Sequence, residues 1–388
     1  MDYIATHIAE LSPSMTLAIT SQAKALKKQG VDVLSFGAGE PDFNTPEHIT
    51  AAAIEALNTG KTRYTESNGL IELREALAAK LLADNGLQYD PSQISVNCGA
   101  KHSCYNAIAA CVNPGDEVII PAPYWTSYPE MVKLVGGIPV IVETKFENGW
   151  KITPDEFEDA MSPMTKMIII NTPGNPTGAV YTRDELKAIG EIAAAEDILI
   201  LSDEIYEKLV YGEEKHVSIA SISKDIFDHT ITVNGFSKAY AMTGWRLGYT
   251  AAPKKIADAI DTIQSHTTSN PTTFAQYGAI AALKGDQQIV ADMRDEFDVR
   301  RQYMLSRLQA IKGLKVMEPM GAFYFLVNIE ELGMKSLAFC EKLLAKGKVA
   351  AVPGVAFGSE YTLRFSYATG LDVINDGMDR FEEFCKQM

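Results

Sequence analysis

MIIINTPGNPTGAVYTRDELKAIGEIAAAEDILILSDEIY, residues 167–206, reads as strand, loop, helix and strand. MIII (167–170) and ILIL (198–201) are unbroken apolar runs. A strand with one face in water would alternate, so runs of this kind fit strands covered on both faces. Between them lies a helical pattern over 183–196, with Thr182 as N-cap and Glu185 three residues on. That spacing lets each side chain cap the other's backbone N–H. Strand, helix and second buried strand make a parallel crossover unit.

The alternation continues outward. Strands are expected at 94–97, 117–120, 139–142, 166–170, 198–201, 230–233 and 245–250. This predicts an α/β fold: a three-layer large domain around a mainly parallel seven-stranded sheet. From about residue 285 the texture changes. A charged helix (292–308), alternating segments near 315–317 and 323–327, a helix (336–346) and a strand (361–367) predict a smaller α+β domain. The first forty residues, with FGAGEPDF at 36–43, lack a core of their own and are expected to join it. The expected large domain is 46–285, and the small one 1–45 with 286–388. Two domains also suit 388 residues, which is long for a single core.

Fifty acidic against 35 basic side chains, net −15, argue against nucleic acid or an anionic membrane as partner. A few local cations can still make one cleft positive. The cysteines (Cys98, Cys104, Cys111, Cys340, Cys385) are odd in number with no CxxC pair, which fits reduced thiols and predicts no metal site. MDYIATHIAELSPSM has no basic region before an apolar run, so no signal peptide is read. No apolar stretch approaches the ~20 residues of a membrane span. A soluble, cytoplasmic protein is expected.

Ligands of open α/β sheets bind beyond the carboxyl ends of the strands. Five predicted strand ends carry polar chemistry: CGAKH (98–102), PAPYW ending at Trp125, NTPGNPTG with Asn175, SDEIY with Asp203 and Tyr206, and NGFSK with Lys238. Lys238 follows Ser237 and precedes Arg246 by eight residues. A lysine so placed can form a Schiff base with the aldehyde of pyridoxal 5'-phosphate while Ser237 and Arg246 hold the phosphate. Each piece also has a plainer reading. Asp203 is a helix cap, or the partner that keeps a pyridine nitrogen protonated. Tyr206 is core, or reaches the ring's phenolic oxygen, to which Asn175 is also a donor if it is more than a turn residue. Trp125 packs, or stacks on the pyridine. Gly99, Ala100 and Lys101 open a helix whose N-terminus suits phosphate. Arg364 in YTLRFSY is a solvated edge residue, or a bidentate clamp on a carboxylate.

Taken together, the chain resembles the class I aminotransferases of the fold-type I pyridoxal phosphate superfamily, in their bacterial aspartate aminotransferase branch. The likeness runs through PSMTLAIT, GAGEPDFNTPEHI, GKTRYTESNGLIELREAL, PYWTSYPEMV, NTPGNPTGAVY, SDEIYE, TVNGFSKAYAMTGWRLGY, GAFYF, VPGVAFG and LRFSYAT. The resemblance implies Lys238 as the cofactor lysine and proton shuttle, Asp203 on the pyridine nitrogen, and Tyr206 and Asn175 on the phenolic oxygen. It implies Trp125 stacked on the ring and a phosphate cup of Ser237, Arg246 and Gly99 to Lys101. Tyr64 would reach the phosphate of a neighbouring subunit in a homodimer with shared active sites. Arg364 would hold the substrate α-carboxylate, with Gly39 a backbone contact. No arginine lies between Arg246 and Arg294, where enteric and animal relatives carry one for the distal carboxylate. Lys101 and Thr16 resemble the pair used by the bacterial branch, some members of which also aminate prephenate. His102 and Cys104 stand where relatives often have Gln and Leu, and packing roles are expected. The implied reaction is ping-pong transfer from L-aspartate to 2-oxoglutarate. The rivals are an aromatic, kynurenine or alanine-type aminotransferase, or a C–S lyase of the same fold.

Overall fold

The computed structural model describes residues 3–9, 11–13 and 15–388. Its main sheet has seven strands in the spatial order Ile94–Asn97, Gly248–Ala251, Thr230–Gly235, Leu199–Asp203, Thr165–Asn171, Glu117–Ala122, Ile138–Glu143. All neighbours pair in parallel except Gly248–Ala251, which runs antiparallel to both of its partners. The two apolar runs form central strands, and their side chains divide by parity as a pleated strand requires. Ile168, Ile170 and Ile200 pack with Leu186 and Ile189 of helix Arg183–Ala195. Met167, Ile169 and Leu201 pack with Ala107 and Ile108 of helix Ala100–Cys111 on the opposite face. Each of the isoleucine, leucine and methionine side chains among them, fully buried, contributes about 1.5–3 kcal/mol. Thr182 and Glu185 form the expected reciprocal cap.

A second sheet holds Val352–Pro353, Thr362–Ser366, Tyr324–Asn328 and Lys315–Val316, all antiparallel. Its phenylalanines Phe325 and Phe365, with Phe323 just before the strand Tyr324–Asn328, pack in one core with Phe381 and Phe384 of the helix Leu371–Lys386. The N-terminal stretch joins this unit: Leu34–Ser35 pairs in parallel with Val349–Ala350, and Ala23 and Val33 pack on Leu344 and Ala350.

Most strand ends shift by one or two residues from the sequence reading, and three elements differ more. The strand expected at 245–250 begins only at Gly248, because Thr243–Trp245 makes a tight helical turn and Arg246 takes φ +55. Gly248 then passes so close to the start of helix Ala100–Cys111 that a Cβ there would lie 2.3 Å from the Ala100 nitrogen. The charged helix runs longer than expected, Gln288–Gln309. The helix expected at 336–346 is α-helical over Ser336–Lys342 and ends in a wider turn, Leu343–Gly347.

Candidate active site

Register places the loops at one sheet edge. Asn171 pairs with Asp203 and Asp203 with Val233, so the chain leaves three central strands side by side. A cleft of about 610 Å³ opens there between the sheet edge and the smaller unit. It is lined by Thr16, Gly39, Ala100, Lys101, Trp125, Asn175, Asp203, Tyr206, Ser237, Lys238, Arg246 and Arg364, twelve of the fourteen residues singled out from sequence. Gly99 lies directly behind it, with φ +92 and so close to Arg246 that a Cβ would meet the guanidinium at 2.5 Å. Tyr64 is not brought to the cleft; it stands 88% exposed.

The floor is Asp203, a buried carboxylate. Its Oδ2 accepts from the Tyr128 hydroxyl at 2.7 Å and faces the Cys104 thiol at 3.7 Å, while Oδ1 accepts from the Ile205 N–H at 3.2 Å. Burial raises its pKa, and the bonds from Tyr128 and Ile205 oppose that rise. Cys104 is therefore more than packing, because its sulfur touches the floor carboxylate. His102, expected to pack, is half-buried, and its Nδ1 accepts from the Cys98 N–H at 3.3 Å.

Lys238 is half-buried above this floor. Its Nζ donates to the Gly39 carbonyl and stands 5.6 Å from the Tyr206 ring centroid. Burial lowers its pKa to about 8; Glu40 works against this, and Arg364 and Arg246 reinforce it. The Tyr206 hydroxyl bonds that of Tyr324 at 2.9 Å. Arg364, buried, spans the cleft: Nη1 donates to Asn175 Oδ1 at 2.9 Å and Nη2 to the Gly37 carbonyl at 3.0 Å. Its Nε is a buried donor with no partner among the described residues. Lys101 Nζ lies 5.0 Å from the Trp125 ring centroid, where burial and then Arg246 lower its pKa.

The sequence reading missed Tyr128, Tyr324 and Asn171. Asn171 donates to the Asp203 carbonyl at 2.9 Å and accepts from the Asn175 N–H at 2.8 Å. All three lie inside quoted motifs, PYWTSYPEMV, GAFYF and NTPGNPTGAVY, but no local pattern sets them apart from packing or turn residues.

Residues 31–376 match the family aminotransferase class I and II. The chain belongs to that family, and it is an aminotransferase. It is 50% identical over 386 residues to an aspartate aminotransferase of Geobacillus stearothermophilus, covering 98% of each chain. It is 45% identical to an aspartate/prephenate aminotransferase of Cereibacter sphaeroides, covering 99% of each. Among solved structures, the aspartate aminotransferase of Thermus thermophilus with maleate superposes with a TM-score of 0.95 at 41% identity, covering 99% of this chain and 100% of the other. That of Rhizobium meliloti gives 0.96 at 37%, covering 100% and 99%. Among the described residues no helix is long and apolar enough to cross a membrane.

Proposed function

We propose that the chain moves the amino group of L-aspartate to 2-oxoglutarate, with pyridoxal 5'-phosphate as carrier, in a cytoplasmic homodimer. The observation that carries the reading is the pairing of Lys238 with Arg364 across one cleft. One is a lysine with a lowered pKa; the other is a buried guanidinium with an unpartnered Nε. In this proposal residues 46–285 hold the cofactor, and residues 1–45 with 286–388 supply Arg364.

The residues present fit the cofactor. A buried carboxylate on the floor calls for a cation, which a protonated pyridine nitrogen supplies. The start of helix Ala100–Cys111, Ser237 and Arg246 form a cradle for a phosphate dianion, with backbone N–H groups and a guanidinium converging. Gly99 is the position where a Cβ would fill that cradle. Trp125 supplies a flat wall, and Tyr206 and Asn175 offer donors. When bound, the cofactor provides an aldehyde to receive the amine and a ring to take up the electron pair left by the broken Cα–H bond.

The remaining steps are the chain's own. Arg364 takes the donor's α-carboxylate; its two bonds to Asn175 and Gly37 hold the planar fork in place beforehand. Lys238 takes the donor's α-proton and would deliver it to the carbonyl carbon of the cofactor, across the shared nitrogen, which demands a neutral amine. With a pKa of about 8, roughly a tenth of Lys238 is neutral at pH 7, against well under a thousandth for an unperturbed lysine. Lys101 and Thr16 face the distal carboxylate.

Initial rates measured with aspartate and 2-oxoglutarate both varied test the reading. Oxaloacetate release with parallel reciprocal plots is expected. Faster release of pyruvate and thiol from a β-thio amino acid would replace the reading with a lyase.

A further inference from the structure

The 203–207 segment has two sides. Asp203, Ile205 and Tyr206 line the cleft. Glu204 and Glu207 point away from it into a polar cluster that the proposed reaction does not use. Glu204 has no exposed surface, which for a carboxylate demands full compensation. Its Oε1 accepts from Ser202 Oγ at 2.8 Å and Ser218 Oγ at 2.7 Å, and its Oε2 meets His216 Nε2 at 3.0 Å. Its backbone N–H donates to the Val233 carbonyl at 2.8 Å. Glu207 takes Lys80 Nζ on one oxygen and Asn85 Nδ2, at 2.9 Å, on the other.

Glu204, Glu207 and His216 bring ligand-type atoms within 4.8 Å of one another. A metal site does not follow from this. The Lys80 ammonium already lies on Glu207, and donors surround Glu204, so both carboxylates are already satisfied by the protein's own groups.

We infer that Glu204 is a positioning residue for the transfer reaction: held from behind by Ser202, Ser218 and His216, it fixes the segment that presents Asp203 and Tyr206 to the cofactor. The inference rests on the roles proposed for those two residues. In front, Tyr128 and the Ile205 N–H grip the Asp203 carboxylate. Behind, Glu204 bonds Ser202 two residues back on the strand it follows, the Val233 carbonyl of the neighbouring strand, and the loop carrying His216 and Ser218. A peptide clamped on both sides keeps its side chains oriented before anything binds, which is what a pre-organised site requires. A buried carboxylate is an expensive way to fill space, and an apolar side chain of similar size would pack there without needing three donors.

The test is a pH titration of the visible absorbance of the cofactor-loaded protein, alongside steady-state kinetics. Tyr206, as donor to the phenolic oxygen, favours the deprotonated chromophore, so misplacing it moves the midpoint upward. Glu204→Ala is expected to raise the midpoint by about one pH unit. It should lower kcat roughly tenfold, with KM for aspartate within about twofold, because Glu204 touches no substrate. Glu204→Gln, which keeps acceptor and shape, should recover most of both. If the alanine variant does not fold, Ser218→Ala removes one donor and should move midpoint and kcat the same way by less. A loaded variant with lower melting temperature but unchanged midpoint and kcat would overturn the inference, leaving Glu204 merely structural. Failure of the underlying reading shows separately, as wild-type protein without cofactor absorbance, and would overturn both.

Discussion

Lys101 and Arg364 divide the recognition of a dicarboxylic substrate unequally. Arg364 presents a planar fork, whereas Lys101 presents a point charge lowered in pKa by burial and by Arg246. Lys101→Ser should lower kcat/KM for aspartate by about 1.5–3 kcal/mol, the range of a charge-assisted bond. Alanine, which lacks a distal carboxylate, should be nearly unaffected as donor. Equal losses for both donors would assign Lys101 to the phosphate cradle instead. At this scale the sequence showed what stands at strand ends and hid what reaches across the fold. Lys238, Asp203 and Asn175 were legible because ligand sites of open sheets form past carboxyl ends. Tyr128, Cys104 and Tyr324 were not. Their contacts with Asp203 or Tyr206 span 75, 99 and 118 residues, and only tertiary packing sets such distances.

The strands and helices of the main sheet were read correctly wherever apolar period and caps agreed, as at Thr182 and the two central strands. Boundaries shifted where function or close packing overrode local preference, as at Arg246, whose φ of +55 bends the chain into the cradle before Gly248 can start the strand. A buried ion pair ties helix Ile71–Asn85 to the segment behind the floor: Lys80 with Glu207, their side chains 10% and 7% exposed. Burial alone would raise the Glu207 carboxyl, but Lys80 and then His216 outweigh it and hold the pKa at about 2. A depressed carboxyl stabilises the fold above its ordinary value, and that contribution is lost as pH falls from about 4.5 toward 2. Lys80→Met leaves the buried carboxylate with Asn85 but without its ammonium partner, and should cost about 3–5 kcal/mol at pH 7 in urea unfolding. The penalty should shrink on acidification as Glu207 takes a proton. An unchanged urea midpoint would show the pair to be dispensable.

For the whole molecule, a net charge of −15 surrounds a cleft whose lining carries Lys101, Lys238, Arg246 and Arg364, so anionic substrates meet a locally positive surface. Tyr64, 88% exposed in the single chain, is expected to complete a partner's site. Mixing Lys238→Ala subunits with Tyr64→Phe subunits should therefore generate activity above either parent, since one site of each hybrid takes Lys238 and Arg364 from its own chain and Tyr64 from the other. Exchange without recovery would speak against shared sites. The central claim, that Lys238 carries the proton, is tested most directly by adding L-aspartate alone to cofactor-loaded wild type and Lys238→Ala. Wild type should release oxaloacetate up to one equivalent per site with an absorbance change that 2-oxoglutarate reverses. Lys238→Ala, still folded and binding the cofactor without a covalent bond, should react at least ~10²–10⁴-fold more slowly, the range for a positioned general base. Oxaloacetate release by Lys238→Ala at the wild-type rate would contradict the account.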